Sequence, residues 1–313
     1  MNVLIEHWGP DSNFALGELI GVLEGEQISY EIIESDFPLT VVDVERWEVL
    51  KRLGFARYIS RHLTSSESIP ELSLSLPRFY VRAKRYAGSK KFSASEVEKA
   101  LGSMISGKVD FSSNTVVRAA ITNKLHVGIM LYDFSTVRFE ERTPNNLPVS
   151  YPITMHPRYS RALINIARIK SGAKLLDPFC GTGAMMIEAL LMGFSVMCGD
   201  KDSRMLSAAE LNMERFGVSA NIIEGDVEVH SGHYDAIVTD PPYGRSSSSQ
   251  GENIYGLYRR AFRKFSELTD RVAIVLPNER GIEIGKKYFT LVEEYPVRVH
   301  KSLTRHYCFF KSE

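Results

Sequence analysis

Leu175-Leu176-Asp177-Pro178-Phe179-Cys180-Gly181-Thr182-Gly183 reads as a short apolar strand, a glycine turn and the start of a helix. Glycines at 181 and 183 admit positive φ and let a ligand come close to the backbone. No third glycine follows at the spacing of the Gly-x-Gly-x-x-Gly fingerprint, and Gly-Lys-Ser/Thr is absent, so neither a dinucleotide fingerprint nor a P-loop is present. What remains is a loop with room for a bulky ligand, with Asp177 placed to meet a cationic one.

Around this loop the pattern repeats. From 156 to 313, strand signals such as Ser195–Gly199, Ala220–Glu224, Tyr234–Thr239 and Arg271–Pro277 alternate with helical stretches such as Ala184–Met192, Ser203–Phe216 and Asn253–Leu268. Short, nearly all-apolar strands in alternation with helices predict a parallel, doubly wound α/β sheet. The last two strand signals, 289–294 and 304–311, have no long helix between them, which predicts an antiparallel hairpin at one edge. Ligands of such sheets bind outside the carboxyl ends of the strands. Four acids fall there: Asp177, Asp200 seventeen residues past Gly183, Asp226 and Asp240. Asp200 is suited to accept hydrogen bonds from ribose hydroxyls, with Asp202 the competing assignment. Asp226 is suited to accept from an adenine amine.

The fourth strand runs into Thr239-Asp240-Pro241-Pro242-Tyr243-Gly244. The prolines fix φ and remove two backbone donors, so the Asp240 carboxylate and the proline carbonyls make a stiff, acceptor-rich rim. That rim suits a planar group carrying an NH2, with Tyr243 available to stack on it. Pro and Asp are also ordinary turn residues, so the segment alone leaves a plain turn open. Arg245 and the run 246–250 read equally as a flap over the site and as a plain disordered loop.

At 313 residues the chain has length for two domains. It carries 38 basic and 38 acidic residues, and no apolar run is long enough to span a bilayer. No secretory leader is evident, and three scattered cysteines suggest neither a disulfide framework nor a zinc site, so a reducing cytoplasm is expected. The neutral total hides an uneven distribution. Residues 1–48 hold eleven acidic side chains and only Arg46 as a base, whereas 78–99 hold seven bases against Glu96 and Glu98.

The first half alternates short strands and helices in an α+β pattern. Asn13–Leu23 and Val44–Leu53 have helical spacing, and Ile28–Ile33 and Leu39–Val44 read as strands. Arg78 to Arg85 alternates, with Phe79, Val81 and Ala83 on one face and Arg78, Tyr80, Arg82 and Lys84 on the other. Three cations and a tyrosine on one face can hold a phosphate backbone and stack a base, although a basic segment taken alone reads more readily as a solvated surface. Ser93 with Glu96 forms a capping-box signature for a helix to about Ile105. Strands at 115–121 and 125–132 follow. Proline and asparagine then dominate Glu141 to Pro152, which has no periodicity and reads as a linker. The predicted divisions are 1–60, 61–140, a 141–155 linker, and 156–313.

Two resemblances rest on these residues. Phe79 to Arg85, with Val127-Gly128-Ile129 near its end, resembles a THUMP domain, an RNA-binding module that a ferredoxin-like segment usually precedes. Residues 156–313 resemble a class I S-adenosylmethionine methyltransferase. The Asp-Pro-Pro-Tyr form belongs to enzymes that methylate exocyclic amines of bases. Together, and with Met155-His156-Pro157 and Arg161 to Asn165, the chain resembles the archaeal and eukaryotic tRNA guanine-10 N2-methyltransferases. The resemblance implies that Asp177, Phe179, Gly181, Gly183, Asp200, Asp226 and His156 hold the methyl donor. It implies catalysis by Asp240, Pro241, Pro242 and Tyr243, and tRNA contacts from Arg78, Arg82, Lys84, Arg85, Lys90, Lys91 and Arg245; a monomer is expected, although the sequence leaves the oligomeric state open. Other readings share parts of the pattern: guanine 6 of tRNA or a ribosomal guanine as target, a DNA amine methyltransferase, and an RNA-binding protein with a vestigial donor site. The THUMP-like half argues against DNA, and the four strand-end acids argue against a vestigial site.

Overall fold

The computed structural model describes residues 1–86, 92–151, 154–244, 253–301 and 303–313. Two compact units emerge, and the chain passes between them more than once. The first comprises residues 1–12, 28–51 and 55–137, and the second 13–27, 52–54 and 138–313.

In the first unit, β1 (Asn2–His7), β2 (Tyr30–Asp36), β3 (Leu39–Val44), β4 (Ala56–Ser66), β5 (Leu74–Arg85), β6 (Ile105–Val109), β7 (Val116–Ile121) and β8 (Leu125–Asp133) form one sheet. Its order is β2-β3-β1-β4-β8-β7-β5-β6. All neighbours are antiparallel except β5 with β6 and with β7. The alternation of β5 appears as predicted, with Phe79 and Val81 buried and Arg82 exposed. Phe79 and Val81 pack with Val97 and Leu101 of the helix that Ser93 and Glu96 cap as a capping box, Ala94–Met104. The helical spacing of 44–53 yields only a 3-10 turn, Trp47–Arg52. Six residues are too few to repay the cost of nucleating an α-helix.

The second unit is built on β9 (Lys174–Asp177), β10 (Ser195–Asp200), β11 (Asn221–Glu224), β12 (Ala236–Thr239), β13 (Arg271–Leu276), β14 (Thr290–His300) and β15 (Leu303–Lys311). The order is β11-β10-β9-β12-β13-β15-β14. Strands β9 to β13 are parallel, and β15 and β14 close the edge as the antiparallel hairpin predicted. With α1 (Ser12–Gly25), α2 (Ala94–Met104), α3 (Pro157–Ile166), α4 (Ala184–Leu191), α5 (Ser203–Arg215), α6 (Ile254–Leu268) and α7 (Glu279–Gly285) numbered along the chain, all but α2 belong to this unit. The apolar face of α6 (Tyr258, Ala261, Phe262, Phe265) buries against Ile237, Val272, Ile274 and Phe310.

Helix α1 packs through a stripe of glycines four apart. A Cβ on Gly21 would stand 2.5 Å from the carbonyl oxygen of Asn165, and one on Gly25 2.6 Å from that of Ile169. Buried polar side chains secure the contact. Glu18 accepts from the Gly54 amide at 2.6 Å and from Asn165 Nδ2 at 2.7 Å, and Arg52 donates to Asn165 Oδ1 and pairs with Glu26 at 2.9 Å. Phe14 stacks on Tyr295 of β14, ring centres 4.7 Å apart. In the stretch read as a linker, Arg142 is buried and, together with Arg161, pairs with the buried Glu188 of α4.

Candidate active site

The strand order reverses between β9 and β12, since the chain runs outward from β9 through β10 and β11 before returning beside β9 as β12. Crevices at such points hold ligands in open α/β sheets. Asp177 ends β9 and Asp240 follows β12, one on each side of the reversal, with Asp200 ending β10 and Asp226 just past β11.

The glycine loop is fixed from within. Asp177 is 1% exposed, and its Oδ1 accepts from the Phe179 amide at 3.0 Å and the Thr239 hydroxyl at 2.6 Å. It thus ties the loop to β12. Burial pushes its carboxyl up to about 7, against those two hydrogen bonds, which favour the ionised form. Between the ordinary carboxylate value and about 7 the folded chain therefore holds a proton that the unfolded chain has lost, so stability falls as pH rises through that window. Relative to Asp177→Asn, the wild-type chain should lose about 2 kcal/mol between about pH 5 and 7, because each pH unit crossed with one extra proton on the folded chain is worth about 1.4 kcal/mol. Urea unfolding of both proteins at the two pH values measures this, and a constant difference would contradict it.

Gly181 and Gly183 have φ of 50° and 72°, as the turn demands. The space where a Gly181 side chain would stand is open, whereas a Cβ on Gly183 would come within 3.0 Å of Ala209 and Met213 on α5. The two glycines therefore do different work: Gly181 faces open space and Gly183 lets α5 approach. Asp200 accepts from the Gly181 amide at 3.0 Å through Oδ2 and from the Asp202 amide at 2.9 Å through Oδ1. Each oxygen keeps a second lone pair for a ligand. Asp202 instead caps α5, accepting from the Arg204 amide at 3.0 Å and pairing with its guanidinium at 2.7 Å. His156 caps α3, with Nδ1 accepting from the Arg158 amide at 3.2 Å.

Asp226 carries a partner the sequence does not announce. Arg260 of α6 donates to both of its oxygens, which holds the carboxyl below its usual range. At Asp240, Oδ1 accepts from the Tyr243 hydroxyl, and the Arg305 guanidinium stands 3.8 Å from Oδ2. The Tyr258 hydroxyl donates to the Pro242 carbonyl at 2.9 Å and so pins the double-proline turn to α6. Burial raises the Asp240 carboxyl, while Arg305 and the Tyr243 hydrogen bond oppose the rise. Arg260, Tyr258 and Arg305 are the residues sequence reasoning missed. Each lies 16 to 65 positions from the residue it serves, and no local motif marks it.

In the first unit the cation-bearing face of β5 contains an aromatic cluster. Tyr80 and Phe111 lie 5.9 Å apart, and the Arg82 guanidinium stands 5.5 and 5.6 Å from their ring centres. Phe111, 70% exposed, carries no signal in the sequence pattern. Arg78 pairs with Asp110 at 3.4 Å, Arg85 is exposed, and Lys84 is half-buried over the Tyr86 ring. Lys90, Lys91 and Arg245 lie outside the described residues.

A doubly wound sheet with this edge hairpin, a Gly-x-Gly turn after β9, a carboxylate at the end of β10 and Asp-Pro-Pro-Tyr after β12 defines a class I methyltransferase that uses S-adenosylmethionine. Residues 144–306 match the family model described as "RMKL-like, methyltransferase domain" (UPF0020). The chain is 32% identical to the tRNA (guanine(10)-N2)-dimethyltransferase of Methanothermobacter thermautotrophicus, with 97% of each chain covered. It is 33% identical to the enzyme of the same name from Pyrococcus abyssi over 88% of this chain and 90% of that one. It belongs to the archaeal tRNA (guanine(10)-N2)-dimethyltransferase family. The fold also matches the crystal structure of TrmN from Thermus thermophilus, with a TM-score of 0.54 at 22% identity over 99% of this chain and all of that one.

Proposed function

We propose that this protein transfers methyl groups from S-adenosylmethionine to the exocyclic N2 amine of guanine 10 in tRNA, adding two in succession. The observation that carries the reading is the geometry at Asp240: a carboxylate on a rigid proline turn beside the strand reversal, one oxygen held by Tyr243 and the other directed elsewhere. The residues fit the donor. Gly181 offers open space, Asp200 presents spare lone pairs at the strand end where a ribose would lie, and Asp226 stands at the next strand end for the adenine amine. Asp200 rather than Asp202 fits the ribose, because capping and Arg204 already engage Asp202. We include Phe179, which lies in the glycine loop, and His156, at the start of α3, among the residues that hold the donor.

The donor, when bound, supplies an electrophilic methyl on a sulfonium. The chain's task is to prepare the amine, whose lone pair is delocalised into the guanine ring. Asp240 Oδ2 accepts one N–H and the Pro241 carbonyl a second, which favours a pyramidal nitrogen and aims its lone pair. Tyr258, by holding the Pro242 carbonyl, keeps that turn from relaxing. Tyr243, tethered to Asp240 through its hydroxyl, offers its ring to a base unstacked from the tRNA. Positioning of this kind supplies much of the rate in an in-line displacement. Arg78, Arg82 and Lys84, which share one face of β5 with Tyr80, make with the Tyr80–Phe111 pair a surface able to hold phosphates and stack a base, and we add Arg85, exposed at the end of the same strand, on its charge. Lys90, Lys91 and Arg245 join them in the proposal on charge alone. We place the protein in the cytoplasm, acting as a monomer; among the described residues no helix is long and apolar enough to cross a membrane. Mass-spectrometric mapping of methylated nucleosides in a tRNA transcript treated with enzyme and labelled donor tests the target, with dimethylguanosine at position 10 expected.

A further inference from the structure

Arg305 sits on β15, outside every motif that defines the site. In the antiparallel register Leu276, the last residue of β13, faces His306, so Arg305 lies one position beyond the end of β13. That places it at the same edge of the sheet as Asp240. It is 7% exposed, its Nη2 is 3.8 Å from Asp240 Oδ2, and its guanidinium carbon is 6.0 Å from the Tyr243 ring centre. Two residues along the strand, Tyr307 is buried on the same face and packs on Tyr159 of α3 (5.7 Å) and Phe14 of α1 (4.9 Å). An aromatic wall from three elements therefore backs this end of β15.

Among the described residues, the groups facing Asp240 are Asp177 from β9, Tyr243 from its own turn, Tyr258 from α6, and Arg305 and Tyr307 from β15. Arg305 is the one cation in that set. We propose that Arg305 is a positioning residue that keeps Asp240 charged and its Oδ2 open to the substrate amine. The proposal rests on the reading of Asp240 given above. The separation matters: a guanidinium at hydrogen-bonding distance would use the oxygen the amine needs, whereas at 3.8 Å it stabilises the charge and leaves the lone pairs in place. Tyr243 already takes Oδ1, so Oδ2 is where an incoming N–H would be received. Burial alone disfavours the carboxylate, and Arg305 is what opposes it most.

The test is single-turnover methyl transfer by the full-length chain to unmodified tRNA transcript, measured from about pH 5.5 to 9 for the wild type, Arg305→Lys, Arg305→Gln and Asp240→Asn. With Arg305→Gln, the acid limb of the rate profile should move up by a pH unit or more. At a fixed pH on that limb the rate then falls about tenfold for each pH unit the limb has moved, and it recovers at high pH. KM for tRNA and donor should stay within about twofold, since the residue acts through Asp240 rather than by touching either ligand. Arg305→Lys keeps the charge and should keep the limb near its wild-type position. Arg305→Met, which retains the length of the stem, replaces Arg305→Gln if that variant does not fold. A rate lowered equally at every pH, a raised KM with intact turnover, or a limb displaced as far in Arg305→Lys as in the neutral variants would overturn the proposal. The Asp240→Asn arm separates the two layers. If it stays active, the reading of Asp240 is wrong. If it is inactive while Arg305→Gln keeps the wild-type limb, only the inference about Arg305 fails.

Discussion

Asp240→Asn should lower methyl transfer to tRNA by about a thousandfold, roughly 4 kcal/mol of transition-state stabilisation. The substitution is isosteric, so the proline turn and the Tyr258–Pro242 hydrogen bond remain. What changes is the group facing the amine: an amide can present an N–H where a carboxylate accepts, and it carries no charge for the nitrogen that develops positive character. That oxygen meets the tRNA at one base amine only and the donor not at all, so both dissociation constants should stay within about twofold, the signature of an interaction made mainly in the transition state. Circular dichroism and thermal unfolding provide the folding control, because Arg305 loses its partner charge. Wild-type turnover in this variant would remove Asp240 from the mechanism.

The second large effect concerns stability. Exchanging glycine for alanine inside a helix ordinarily gains about 1 kcal/mol. At Gly21 the sign should reverse. The new methyl would stand 2.5 Å from the carbonyl oxygen of Asn165 and 3.0 Å from the Ile166 Cα, both backbone atoms of a helix that cannot yield locally. Either α1 or α3 must move, and movement disturbs the buried Glu18–Asn165–Arg52 network that joins them. Overpacking plus the weakened network puts the net loss at about 3 kcal/mol. Urea unfolding measures it. A variant as stable as the wild type would mean that α1 does not pack through its glycine stripe.

Much of the catalytic sheet was legible in the sequence, because what specifies it is local. Strand–helix alternation, the glycines at 181 and 183 and an acid at each of four strand ends are read from neighbours a few positions away. The cationic and apolar faces of β5 follow from the two-residue period of a strand, and the capping box at Ser93 from a three-residue spacing. What could not be read is pairing at long range. The spacing of 13–23 predicts a helix and finds one, but nothing in those residues says that it packs on Asn165 and Tyr295. Arg142 sits in a stretch that reads as irregular, and only the position of Glu188 explains its burial. At the site itself the sequence placed the acids but not their partners. Arg260 on Asp226, Tyr258 on the Pro242 carbonyl and Arg305 beside Asp240 each depend on how helices and hairpin fold back over the strand ends. At Tyr243 the sequence supplies the aromatic ring, whereas the tie from its hydroxyl to Asp240 depends on how the proline turn folds.

The central claim is that the rim built on Asp240 acts on one atom, the N2 amine of guanine 10. Two tRNA transcripts, identical except that one carries inosine in place of that guanine, test it directly, because inosine lacks only the amine. Incubated with the enzyme and methyl-labelled donor and mapped by mass spectrometry, the guanine transcript should carry dimethylguanosine at position 10 and the inosine transcript no label. Equal incorporation into both would contradict the account.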